Sequence, residues 1–133
     1  MSTVLYIDDN TINIQLVGHM LRKANLKMVH AIDGQEGLEM ANQIEPDIII
    51  VDYHMPGLSG VDVANRLKAN PKLMHIPLIA LTADSLPETY RACKEAGFSA
   101  YLNKPISKTL LINTITKLLE NKTAVPSYDH LDY

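Results

Sequence analysis

Apolar positions along the chain follow two alternating patterns. Short runs, Thr3-Val4-Leu5-Tyr6-Ile7, Lys27-Met28-Val29-His30-Ala31-Ile32, Ile48-Ile49-Ile50-Val51, Ile76-Pro77-Leu78-Ile79-Ala80-Leu81 and Ser99-Ala100-Tyr101-Leu102, are each followed by a longer stretch in which apolar residues recur every three or four places. A run such as Ile48 to Val51 cannot alternate inside and outside, so it predicts a strand covered on both faces, as in the middle of a parallel sheet. The longer stretches predict helices. In the first, Ile12, Leu16, Met20 and Ala24, with Val17 and Leu21 beside them, mark the expected inner face, and Asn10 suits the cap. Asp33 with Glu36 reads as a capping-box-like start for the second, whose inner face is Leu38, Met40 and Ala41. Ser59 is the expected cap of the third, with Val61, Ala64 and Leu67 inward and Asn70-Pro71 as its stop. Asp84-Ser85 and Pro87 open the fourth, and Gly97 closes it. Ser107 caps the fifth, with Leu111, Ile115, Leu118 and Leu119 at helical intervals.

Five strand-then-helix units in strict alternation predict an α/β fold: a doubly wound (βα)5 three-layer sandwich with a parallel five-stranded sheet. Right-handed crossovers and the short first unit favour the strand order 2-1-3-4-5. Strands one and three then lie side by side with their helices leaving to opposite faces, and open α/β sheets bind ligands at such a point. Asp8 and Asp9 close the first strand, Asp52 the third and Thr82 the fourth, while Lys104 follows the fifth. All of them are expected in one crevice.

The 133 residues suit one domain, and 47% hydrophobic with 20% charged residues is an ordinary soluble composition. A net charge of −3 without a Lys/Arg cluster argues against a nucleic-acid surface, and one phenylalanine with no tryptophan argues against base stacking. Cys93 is the single cysteine, so no internal disulfide forms, and a reducing cytoplasm is the expected setting. Its place in the fourth helix beside Tyr90 and Ala96 reads as a small buried hydrophobe. No apolar run approaches the ~20 residues that span a bilayer, and no basic start of a secretion signal precedes Val4.

Three clustered carboxylates repel one another by about 4 kcal/mol per close pair at an effective dielectric of about 20. Hard oxygen ligands at a solvent-rimmed site suit Mg2+, which relieves that repulsion and neutralises an incoming phosphoryl group. Lys104 and Thr82 supply a positive charge and a hydroxyl for its outer oxygens. Asp52 then has a path to act as nucleophile, since carboxylates form covalent phosphoryl intermediates. His19, His30, His54, His75 and His130 are scattered without metal-ligand spacing, so a transition-metal site is not expected.

Taken together, Asp8-Asp9, Asp52 followed by Met55-Pro56, Thr82-Ala83, Tyr101 and Lys104-Pro105 resemble the receiver domain of two-component response regulators, the CheY-like family, over about residues 3 to 121. That family's flavodoxin-like fold has the same 2-1-3-4-5 order, so the order above is not independent of the resemblance. The resemblance implies that Asp52 accepts a phosphoryl group from the phosphohistidine of a sensor histidine kinase or histidine phosphotransfer protein. It implies Mg2+ on Asp9, Asp52 and the backbone carbonyl of His54, with Asp8 acting largely through water. Lys104 would contact the phosphoryl group, with the Lys104-Pro105 bond cis; Thr82 would move toward it and Tyr101 would then turn inward. The side chains of His54 and Asp84 stand at positions that influence phosphoryl lifetime in the family. Ser59 stands where family members often have Asp.

On this reading the chain is a phosphoacceptor switch of two-component phosphorelay signalling, not an enzyme: it catalyses only its own phosphorylation and dephosphorylation. Its expected output surface gathers Leu86, Tyr90, Tyr101 and Lys108 for a downstream protein of unknown identity. The expected divisions are a receiver domain at 1–121 and a tail at 122–133, whose Tyr128 and Tyr133 could bind a partner. The expected states are a cytoplasmic monomer or a phosphorylation-dependent dimer, with no membrane partner and no nucleic acid. A single-domain regulator is favoured. A receiver of a hybrid kinase or larger regulator is the alternative, suggested by Asn13 after Asp8-Asp9-Asn10. Haloacid-dehalogenase-type phosphatases also use an aspartyl nucleophile but place a second Asp two residues on, where His54 stands. A flavodoxin-like FMN binder would meet repulsion from Asp8-Asp9.

Overall fold

The computed structural model describes residues 1–120, and the expected tail at 122–133 lies outside them. Strands β1 (Thr3–Ile7), β2 (Lys27–Ala31), β3 (Ile48–Asp52), β4 (Leu78–Thr82) and β5 (Ala100–Asn103) alternate with helices α1 (Thr11–Lys23), α2 (Gly34–Ile44), α3 (Gly60–Lys68), α4 (Pro87–Ala96) and α5 (Lys108–Glu120). The strands form one parallel sheet in the order β2-β1-β3-β4-β5. The expected architecture and order are those observed.

Because successive strand residues point to opposite faces, the continuous apolar runs split into two core layers. Leu5, Ile7, Ile49 and Val51 pack with Val63 and Leu67 on one side. Val4, Tyr6, Ile48 and Ile50 pack with Val17 and Ile115 on the other. The second layer belongs to α1 and α5, and the first to α2, α3 and α4.

Several helix starts carry the expected caps. Asn10 accepts from the Asn13 N–H, and Asp33 accepts from the Glu36 N–H. Ser59 and Asp62 form a reciprocal capping box. The Ser107 hydroxyl accepts from the Leu110 N–H. Helix α4 differs: its cap position is Leu86, with no side-chain bond, and the Asp84 carboxylate reaches forward to the Leu86 N–H instead. Gly97 closes α4 at φ 98°, a left-handed geometry that costs glycine little.

The inner face of α1 is only partly the one expected: Val17, Met20 and Leu21 lie on it, and Ile12 and Leu16 do not. Ile12 is 74% exposed and Leu16 is also exposed, while Ile14, Val17, Met20 and Leu21 are buried. A series at spacing four drifts by about 40° around the helix at each step. The series 12, 16, 20 therefore starts off the inner face and reaches it only at Met20, beside Ile14, Val17 and Leu21. In α3, Val63 takes the buried place beside Ala64 and Leu67, and Val61 is half-buried.

Candidate functional site

Strand register brings the acids together. Ile7 pairs with Val51, so the next residues on the two strands, Asp8 and Asp52, come level at the C-terminal edge of the sheet. Both continue the strand face that carries Tyr6 and Ile50, the α1/α5 side. Asp9 starts the turn into α1 and is exposed, whereas Asp8 and Asp52 are buried. Oxygens of Asp8, Asp9 and Asp52 lie within 4.8 Å of one another.

The loop after Asp52 is held by Gly60. Its N–H donates to the Tyr53 carbonyl at 3.1 Å, and a Cβ there would stand 2.9 Å from the Tyr53 Cα and 3.3 Å from the Asp52 carbonyl oxygen. Only glycine permits helix α3 to begin this close to the acid-bearing turn.

Lys104 reaches the cluster from the end of β5. Its backbone N–H donates to the Thr82 carbonyl at 2.8 Å, and its ammonium stands 3.2 Å from Asp52 Oδ1 and 3.9 Å from Asp8 Oδ2. The Lys104-Pro105 peptide is cis. Burial raises the Asp52 carboxyl above the ordinary range, the neighbouring Asp8 raises it further, and Lys104 only partly offsets both. The cluster's own charge works against holding it together.

On the other face of the sheet end, the buried Thr82 hydroxyl accepts from the Asp84 N–H at 3.2 Å. The Asp84 carbonyl accepts two hydrogen bonds, from the Tyr101 hydroxyl at 2.9 Å and from Asn103 Nδ2 at 2.8 Å. The Asp84 carboxylate pairs with His54 Nε2 at 2.9 Å. The slight burial of Asp84 raises its carboxyl, but hydrogen bonds from His54, Leu86 and Thr89 outweigh that and leave it below the usual range. His54 is also met edge-on by the Tyr53 ring, 4.7 Å between centroids.

Tyr101 departs from the expected output surface. It is 0% exposed, so it contributes nothing to the surface formed by the 55% exposed Leu86, the half-buried Tyr90 and the exposed Lys108. It lies inward, where the Asp84 carbonyl offers its hydroxyl an acceptor and Tyr90 packs edge-on against its ring at 5.8 Å. Cys93 is fully buried in α4, and burial, with a contribution from Asp84, pushes its thiol up to about 12.

Three polar residues of the site were not singled out by sequence reasoning for the contacts they make. Tyr6 donates to Asp8 Oδ2, Asn13 Nδ2 donates to the same oxygen, and Asn103 shares the Asp84 carbonyl with Tyr101. For Tyr6 a signal exists: it lies two residues before Asp8 on one strand, which places both side chains on one face.

An open parallel sheet with an acid cluster, a lysine and a hydroxyl at its switch point defines a doubly wound α/β domain with an acidic site at the strand ends. The sequence matches the response regulator receiver domain family over residues 4–116, and the chain belongs to that family. It is 32% identical over 117 residues to the polar-differentiation response regulator DivK of Brucella anthropi, covering 88% of this chain and 95% of DivK. The chemotaxis protein CheY4 of Vibrio cholerae superposes with a TM-score of 0.84 at 30% identity, covering 88% of this chain and 98% of CheY4. The receiver domain of the sensor histidine kinase PA1611 from Pseudomonas aeruginosa, solved with a magnesium ion in its active site cleft, superposes with a TM-score of 0.84 at 27% identity, covering 90% of this chain and 98% of that domain. Receiver domains are signalling switches of two-component systems rather than turnover enzymes. Among the described residues, no helix is long and apolar enough to cross a membrane.

Proposed function

We propose that Asp52 is the phosphoacceptor of this receiver, taking a phosphoryl group from a phosphohistidine of a sensor histidine kinase or histidine phosphotransfer protein. The carrying observation is the convergence of Asp8, Asp9 and Asp52 within 4.8 Å, with Lys104 3.2 Å from Asp52. In the transfer, the donor's N–P bond breaks as an Asp52 O–P bond forms, and the imidazole keeps the electron pair. Lys104 would hold a phosphoryl oxygen by charge, and Thr82, whose oxygen accepts from the Asp84 N–H, would donate its hydroxyl proton to another.

The donor set fits Mg2+: hard carboxylate oxygens, mutually repulsive and partly open to water through Asp9. Asp9, Asp52 and the His54 carbonyl would hold it, with Asp8 acting through water, and when bound it neutralises charge on the phosphoryl oxygens. Leu86, Tyr90 and Lys108 are the surface proposed to meet the downstream protein, with Tyr101 beneath reporting the state of the loop after β4. His54 and Asp84 are proposed to set the phosphoryl lifetime.

Incubation with acetyl phosphate and Mg2+ tests the assignment. Wild type is expected to gain the mass of one phosphoryl group and Asp52→Asn none; equal labelling of the two proteins would overturn it. A place within a hybrid kinase is a second reading, favoured by a 27% identical receiver of a signal transduction histidine kinase from Syntrophus aciditrophicus that covers 96% of this chain. The full reading frame of the gene decides between them.

A further inference from the structure

Tyr6 has no part in the reading above. It stands on β1 two residues before Asp8, with its ring in the α1/α5 core layer among Val4, Val17 and Ile50. An apolar residue could fill that layer equally well. The phenol adds one polar atom to it, and that atom donates to Asp8 Oδ2 at 2.5 Å. Asn13 Nδ2 donates to the same oxygen at 3.2 Å, and the Asn10 N–H donates to Oδ1 at 2.9 Å. The fully buried Asp8 therefore rests on three neutral donors.

The contest for Lys104 gives this arrangement a consequence. One ammonium faces two buried acids, 3.2 Å from Asp52 and 3.9 Å from Asp8. A buried carboxylate deprived of neutral donors draws on the nearest cation, because charge-assisted bonds are the stronger ones and an unpaired buried charge is costly. Were Asp8 to lose Tyr6, Lys104 could close the remaining gap toward it and leave Asp52.

We propose that Tyr6, together with Asn13, is a positioning residue of the acidic site: it holds Asp8 in place with neutral donors and so reserves Lys104 for Asp52. This rests on the assignment of the cluster as a Mg2+ and phosphoryl site.

The test is calorimetric titration of Mg2+ into wild type, Tyr6→Phe, Asn13→Ala and the double variant, with thermal melts alongside. Phenylalanine keeps the ring, so the core layer stays filled. Wild type is expected to bind Mg2+, and Tyr6→Phe to bind it about tenfold more weakly, the scale of losing a partner that orients a metal ligand. The double variant is expected to lose more than the product of the two single effects, since each single variant leaves that oxygen one neutral donor and the double leaves it none. Lost packing alone would lower the melting temperature without moving the Mg2+ constant. Unchanged or tighter binding by Tyr6→Phe, or two fully independent effects, overturns the role of Tyr6 and leaves the assignment of the site standing. Failure of the wild type to bind Mg2+ overturns both. Should Tyr6→Phe not fold, Asn13→Ala carries the same test from the partly exposed start of α1: weaker binding upholds the cradle, and unchanged binding refutes it.

Discussion

His54 and Asp84, thirty residues apart, meet through an Nε2 to Oδ2 contact of 2.9 Å that ties the loop after β3 to the loop after β4. Asp52 lies at the root of the first loop and Thr82 at the root of the second, so the pair joins the two loops that follow these strand ends. An exposed side-chain contact of this kind is worth at most about 1 kcal/mol, or about fivefold in a rate. His54→Ala and Asp84→Ala are each expected to speed loss of the phosphoryl group by up to about fivefold. The double variant should be no faster than the quicker single one, because one strap is being cut. Decay of the phosphorylated species followed by intact mass reads this directly, and fully multiplicative effects would show that the two side chains act separately.

The inward Tyr101 has a backup. Its hydroxyl and Asn103 Nδ2 both donate to the Asp84 carbonyl, at 2.9 and 2.8 Å. Tyr101→Phe removes one donor and leaves the acceptor satisfied, so a stability loss of about 1 kcal/mol is expected. Removing Asn103 as well strands that carbonyl. Tyr101→Phe with Asn103→Ala is therefore expected to cost more than the two single changes added together, as measured by urea unfolding.

Gly60 gives a sharper test of how the site is built. A Cβ would fall 2.9 Å from the Tyr53 Cα, a backbone atom that cannot swing aside. Gly60→Ala is expected to cost about 1–3 kcal/mol, the scale of overpacking, and to weaken Mg2+ binding because the turn after Asp52 must move. By contrast, a Cβ at Gly18 would meet only the flexible end of Met28, at 3.0 Å. Gly18→Ala should cost less and leave Mg2+ binding unchanged. Equal effects at the two glycines would remove Gly60 from the site's construction.

The fold was legible because Ile48 to Val51 and Leu78 to Leu81 are buried on both faces and read as unbroken apolar runs. The convergence of Asp8, Asp52 and Lys104 was legible because each stands at or just beyond a strand end, and strand order then places the ends. What failed was phase around a helix: α1 carries enough apolar residues, Ile12 and Leu16 among them, that two faces compete, and packing onto the sheet chooses the one with Ile14. Contacts between loops were illegible for a different reason. The His54–Asp84 pair and the inward Tyr101 depend on where two loops are set by Gly60 and by the Asp84 carbonyl, which no spacing encodes. Asp8's donors fall between these cases, since Tyr6 could be placed by strand alternation but its hydroxyl bond could not.

The raised Asp52 carboxyl makes a prediction about pH. Burial and Asp8 lift it above the 3.8 of an unperturbed Asp, so between 3.8 and the folded value the native state holds more proton than the unfolded chain. Stability attributable to this group therefore falls as pH rises through that window, and the charge penalty is fully present above it. Asparagine carries no such penalty. In metal-free buffer at pH 7, Asp52→Asn is expected to melt higher than wild type, and the gap should shrink toward zero as pH falls below about 4, where both proteins are neutral at residue 52. Comparing the two proteins cancels the other acids, including Asp84, whose lowered carboxyl pulls stability the opposite way. Saturating Mg2+ should narrow the gap at pH 7, because an ion bound only by the folded wild-type cluster adds stability, about 2.7 kcal/mol at a hundredfold excess over its Kd. Thermal melts across about pH 3 to 7, with EDTA and with Mg2+, check all three expectations. A gap independent of pH would mean that the Asp52 charge is not held against its surroundings.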